Sequence, residues 1–210
     1  MRNSQKYCRD GATISDKKVD EIVIDFDVAQ VNIRASRDNE ISYEYFGNED
    51  SNFSASVDGN KLKFRDSHRK KLLNFELRTS RLELYLPSEK SYTIKASLDV
   101  SAINITDIKI NDLEVRSNID KIDIENVTVT GEMIVRSAVG AIKICDVKEP
   151  KLFRAKSSIG SIRISNLYSK DIVLSSDVGE IKFKNDDLSY KIERLDVNTS
   201  IGSQKINVGR

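Results

Sequence analysis

A serine three residues ahead of a glycine recurs through the second half of the chain, in Ser137-Ala138-Val139-Gly140, Ser157-Ser158-Ile159-Gly160 and Ser176-Asp177-Val178-Gly179. A serine nucleophile on a sharp turn would be unique and would need a partner base, whereas this arrangement repeats. The single histidine, His68, stands apart in His68-Arg69-Lys70-Lys71, which reads as a solvated hairpin tip. No catalytic residue is assigned, and the chain is not expected to be an enzyme. Cys8 and Cys145 lie far apart without metal-ligand spacing and read as unrelated thiols, a disulfide between them being the alternative. The acidic pairs Glu49-Asp50 and Asp186-Asp187 are too short for a cation cage, and the Gly-Gly-x-Gly-x-Asp calcium pattern is absent. No metal and no cofactor are expected.

The remaining chemistry is charge. Arg136, Lys143, Lys156, Arg163 and Lys182 stand at repeated offsets from those glycines. On strands stacked about 4.8 Å apart they would form one basic band, able to hold an anionic polymer such as a cell-wall glycan or a phosphate polymer. The competing reading is that lysine and arginine keep a sheet face soluble and discourage edge-to-edge association.

Such a band needs a repeating scaffold. Anchored on the apolar residue before the glycine position, six copies of one phrase fall at Val100, Ile119, Val139, Ile159, Val178 and Ile201, in steps of 19, 20, 20, 19 and 23 residues. A fixed period near 20 means one unit stacked on itself. Alternation within each unit predicts that these anchors, with Val115, Ile122 and Ile124, point inward, and that Arg116, Lys121 and Asp123 point outward. Gly140, Gly160, Gly179 and Gly202 share one corner with Asp120 and Ser101; a left-handed corner favours glycine, tolerates aspartate and suits serine poorly. Leu98, Ser117, Ser137, Ser157, Ser176 and Thr199 form an inward column. Gln204 replaces a core isoleucine in the last copy, as expected of a cap.

The first half carries strand signals without the clear repeat. Residues 1–18 are polar and read as an arm or linker. Period-two alternation starts at Val19 with Ile22, Ile24, Phe26 and Val28, and residues 26–33 are a degenerate copy of the phrase. Further strands are predicted over residues 41–46, 53–57, 61–64, 73–77 and 82–86, with Asp58-Gly59-Asn60 as a hairpin turn. No stretch has a 3.6-residue apolar period.

The 210 residues are 39% hydrophobic and 32% charged, with a formal net charge of +1, which describes a globular chain and gives no bulk field for nucleic acid. No apolar run approaches the roughly 18 residues of a membrane-spanning helix. Localisation is expected at the cell surface or membrane if a targeting segment precedes Met1, and in the cytoplasm otherwise.

The degenerate N-terminal strands, Leu82-Glu83-Leu84-Tyr85-Leu86-Pro87 and the run of Ser-x-Val-Gly-x-Ile-x-Ile copies together resemble the bacterial DUF4097 family of candidate adhesins, over about residues 19–208. The resemblance implies an all-β, solenoid-like or prism-like domain associated with the cell surface or with envelope stress systems. The expected architecture is therefore a single-stranded β-solenoid of ~20-residue coils over residues 92–210. Residues 19–91 would be a β region continuous with it, their antiparallel strands packed on or capping the stack. The expected role is a non-enzymatic binding or scaffold module, its partner a surface glycan, a wall polymer or an envelope protein. The alternatives are a carbohydrate-active β-helix enzyme and a self-assembling structural protein.

Overall fold

In a computed structural model the described residues are 7–15, 18–38, 40–48, 51–68 and 80–208. The predicted strand over 73–77, the pair Glu49-Asp50 and the loop residues Arg69, Lys70 and Lys71 lie outside them. So do residues 1–6, 16 and 17 of the expected arm, and the side chains of Cys8 and His68.

Among the described residues every regular element is a strand, as the absence of a helical period predicted. In chain order they are β1 (Tyr7–Ile14), β2 (Glu21–Ser36), β3 (Ile41–Asn48), β4 (Ser51–Asp58), β5 (Lys61–His68), β6 (Ser80–Pro87) and β7 (Tyr92–Thr106). The second half adds β8 (Lys109–Ile119), β9 (Ile122–Val129), β10 (Glu132–Val139), β11 (Ile142–Lys148), β12 (Leu152–Ile159), β13 (Ile162–Tyr168), β14 (Asp171–Lys184) and β15 (Arg194–Asn207). Within the stretch read as an arm, β1 pairs antiparallel with β3 from Tyr7 opposite Asn48 to Ile14 opposite Ile41.

The repeat sets the register. Ser117, Ser137, Ser157, Ser176 and Thr199 lie side by side on successive parallel strands, and so do Ile122, Ile142, Ile162, Ile181 and Gln204. Each repeat contributes one strand to a first sheet (β8, β10, β12) and one to a second (β9, β11, β13). The long strands β2, β7, β14 and β15 run through both. Because β7 and β14 are continuous around the corner, β7-β8-β10-β12-β14-β13-β11-β9 closes into a barrel-like circuit of parallel pairs. That closure is what the sequence reading did not predict.

Between the two sheets the alternating apolar residues make one core. Val115, Val135, Ala155 and Leu174 line the first sheet; Ile124, Ile144, Ile164 and Phe183 line the second, and all are buried. At the N-terminal end the core is covered. Phe26, Tyr43, Tyr45, Phe53 and Phe64 cluster there, with Tyr45 stacked on Phe53 at 3.8 Å between ring centroids and an interplanar angle of 6°. The Tyr45 hydroxyl donates to Asp66 Oδ2 at 2.8 Å and lies 3.0 Å from Ser80 Oγ, which satisfies a phenol that burial otherwise penalises. The C-terminal end has no such cover among the described residues: β15 pairs only with β14, and most of its side chains are exposed.

Candidate functional site

The corner between the two sheets is built from backbone first. Gly140, Gly160, Gly179 and Gly202 have φ between +146° and +155°, and Asp120 has φ +115°, the left-handed side that glycine occupies without penalty. Close approach adds a second requirement, since a Cβ on Gly160 would lie 1.9 Å from the Gly140 carbonyl oxygen. Ser157, Ser176 and Thr199 reach back and donate their hydroxyls to the carbonyls of Gly140, Gly160 and Gly179, at 3.5, 3.2 and 3.3 Å. The serine column is therefore buried structural chemistry. Ser101 solves the first corner differently: it is buried, and its Oγ accepts the N–H of Ala29 at 2.9 Å.

The corner overturns one expectation. Val100, Ile119, Val139, Ile159, Val178 and Ile201 do not fill the core; they are 42% to 67% exposed. Strand alternation fails here because Ala138 and Val139 both face solvent before the chain turns, and a half-buried Ser158 likewise precedes the exposed Ile159. The anchors are mutual register partners on adjacent strands, so they form an exposed apolar ridge across six strands, with half-buried Val28 next in line beside Val100.

The five predicted cations are not one band but two rows, one on each side of this ridge. On the first sheet Arg116, Arg136 and Lys156 are successive neighbours. On the second sheet Lys143, Arg163, Lys182 and Lys205 follow one another across β11, β13, β14 and β15. Lys205 extends the expected set; its signal was Gln204-Lys205 standing where other copies read Ile-Lys or Ile-Arg. Between the rows the middle repeats are small and neutral, with Ala138, Ser158, Ala141 and Ser161 flanking Val139 and Ile159.

Four of the five predicted cations are lightly held, Lys182 being the exception. Arg136 lies 3.5 Å from Glu114 and Lys143 lies 3.7 Å from Asp123, each sharing its carboxylate with a closer cation, Arg116 or Lys121 at 2.6 Å. Lys182, 2.7 Å away, holds the Glu180 carboxyl below its usual range. Among the described residues, Lys156 and Arg163 show no ion pair. A row of exposed cations with loose partners can exchange those partners for an external anion at little cost.

Other reactive groups are not gathered. Cys145 is a free thiol, half-buried on β11; the Ser165 hydroxyl bond lowers its pKa, but burial and the Asp146 carboxylate prevail and raise it. Asp186 and Asp187 sit after β14, where Lys184 and Ser189 respectively hold their carboxyls low. No cluster of three or more metal-binding side chains occurs among the described residues, nor does any helix long and apolar enough to cross a membrane.

A column that sequence reading missed lies at the far end of the second sheet. Asp107, Asn126, Asp146 and Asn166 all have φ between +52° and +60° and form a bend of their own. Asn126 donates to Asp107 at 2.6 Å and Asn166 to Asp146 at 2.9 Å. The signal was an Asn/Asp position repeating every 19 or 20 residues, and its role is structural.

Comparison with known proteins agrees with this geometry. The family model described as Toastrack DUF4097 matches residues 19–208. Among solved structures, a candidate adhesin from Bacteroides fragilis superposes with a TM-score of 0.58 at 17% identity, over 97% of this chain and 98% of that one. A candidate cell adhesion protein from Clostridium sporogenes gives 0.56 at 13%, over 96% and 99%. At these identities the likeness establishes the fold alone. No curated protein matches.

Proposed function

We propose, for a chain that belongs to the Toastrack DUF4097 family, a non-catalytic binding role at the bacterial cell surface. The observation that carries this reading is the corner: an exposed ridge of valine and isoleucine running between two in-register cationic rows. Its ligand is an extended anionic polymer of the cell surface lying along the ridge. Arg136 and Lys156 meet its charges from one side, and Lys143, Arg163 and Lys182 from the other. Val139 and Ile159 give the ligand an apolar bed that strengthens each charge contact by excluding water.

The 20-residue register supports reading the second half as a solenoid of coils, with residues 19–91 continuous with it and covering one end. Stacking provides the periodicity a polymer needs: each repeat offers the same cations one strand spacing further on, about 4.8 Å. The names of the Bacteroides and Clostridium structures, both of which refer to adhesion, support a surface role.

The test is binding of poly(glycerol phosphate), with neutral dextran as control, to the wild-type chain and to the variant carrying R136Q, K143Q, K156Q, R163Q and K182Q. The wild type should bind the anionic polymer with an affinity that falls as salt rises, ignore dextran and leave the polymer length unchanged. The variant should lose binding. Equal affinity of the two proteins, or shortening of the polymer, overturns the proposal.

A further inference from the structure

The open C-terminal edge is self-complementary. In the stacked repeats, the corner glycines and the inward-facing positions of the second sheet send their N–H groups forward to the next repeat. Gly140 and Gly160 donate to Ile159 and Val178, and Ile122 and Ile142 to Ala141 and Ser161, all at 2.9 Å. The register equivalents in β15 are Gly202 and Gln204, and no further repeat follows among the described residues. On the first sheet Thr93 points its N–H back to Asp20 at 2.8 Å, so Ile94, Ala96 and Leu98 alternate forward. Their equivalents are Leu195, Val197 and Thr199. Both arms of β15 thus present unpaired backbone groups and inward-facing side chains at the same positions, over 14 residues or about 45 Å of strand.

We propose that β15 pairs antiparallel with β15 of a second copy of this chain, about a two-fold axis between Ser200 and Ile201. Only an antiparallel partner with that centre matches what the edge offers. Leu195 then lies opposite Ile206, Val197 opposite Gln204 and Thr199 opposite Gly202; each pair joins two forward-pointing backbones, and the first two pairs also join inward side chains. Thr199 and Gly202, which bracket the corner, exchange places across the axis, so the bend of one copy overlies the bend of the other. On the outer face Asp196 lies opposite Lys205, and the two-fold repeats this ion pair. Ile206, 38% exposed, and the half-buried Leu195 and Val197 become core. Gln204, the one polar residue in the isoleucine row, is placed to bond across the joint rather than to block it. Among the described residues the opposite end differs, since its core is covered by the aromatic cluster around Tyr45.

The experiment is sedimentation of the 210-residue chain and of charge variants. The wild type should sediment as a concentration-dependent dimer of twice 23.7 kDa. D196K places lysine against lysine twice, K205D places aspartate against aspartate twice, and each alone should be monomeric. An equimolar mixture of the two should recover the dimer as a heterodimer. The double variant D196K/K205D should dimerise as the wild type does, which also shows that both substitutions leave the fold intact. A wild type that stays monomeric, a dimer indifferent to the single substitutions, open-ended growth in mass, or a mixture that fails to recombine each overturns the proposal.

Discussion

Gly160 sits so close beneath the corner of the preceding repeat that a Cβ added to it would be 1.9 Å from the Gly140 carbonyl oxygen, with φ at +146°. Conformation and space both demand glycine there. Gly160→Ala should cost about 3 kcal/mol, measured as a shift of the urea midpoint at constant slope. Gly202→Ala meets the Gly179 carbonyl oxygen at 1.8 Å, but on the edge strand, which can peel away. It should cost less than half as much.

Ridge and core separate cleanly by mutation although both consist of valine and isoleucine. Ile142 is fully buried, and Ile142→Ala should destabilise by about 3 kcal/mol. Val139, three residues earlier and 44% exposed, should tolerate Val139→Ser within about 0.5 kcal/mol. Thermal unfolding of the two variants checks this; equal losses would return Val139 to the interior.

Glu21 stands between Lys61 at 2.9 Å and Lys95 at 3.0 Å, and these bonds hold its carboxyl below the ordinary value. A depressed folded-state pKa contributes stability above the unfolded-state value, which is lost as pH falls through the folded one. Both lysines are about half exposed, so solvent screens the pairs. Glu21→Gln should lower stability at neutral pH by about 0.5–1 kcal/mol, and the two stability curves should converge on acidification below the usual carboxylate range.

The Cys145 thiol should react slowly with disulfide reagents at neutral pH, because burial and Asp146 keep it protonated. Asp146→Asn retains a residue suited to the left-handed bend and removes the charge. It should speed thiol release several-fold, whereas Ser165→Ala, which deletes a bond favouring the thiolate, should slow it.

How much of this was legible in the sequence differs from residue to residue. The side-by-side placing of Ser137, Ser157 and Ser176 follows from their spacing, because parallel neighbours in a stack must sit one period apart. The left-handed corner followed from Gly140, Gly160 and Gly179, and even its tolerance of Asp120 was predictable. The orientation of Val139 was not. Period-two reasoning carries parity through a strand, but parity slips where Ala138 and Val139 both face out, and nothing in either side chain marks the slip. The corner itself divides the expected basic band, leaving Arg136 and Lys156 on one sheet and Lys143, Arg163 and Lys182 on the other. The Asp107, Asn126, Asp146, Asn166 column was in plain view but carries no apolar signature, so an anchor chosen on hydrophobic residues passes over it. Closure into a circuit depends on β7 and β14 staying continuous around their corners, a property of backbone geometry at Ser101 and Glu180 that composition does not encode.

Parallel stacking of the described repeats, from the covered end to β15, also gives a single copy a mechanical polarity. Each repeat is bonded to the repeats before and after it, and within one copy, among the described residues, β15 is bonded to β14 alone. A tension applied at the C-terminus therefore meets β15 first, then β14, then the pair β12 and β13, each an independent unit of resistance. The chain should yield in even steps, every released repeat of some 20 residues lengthening it by about 70 Å. The aromatic plug around Tyr45 and Phe53 shields the opposite end from the same unravelling. A protein built this way absorbs a pull by paying out length while its remaining repeats stay folded.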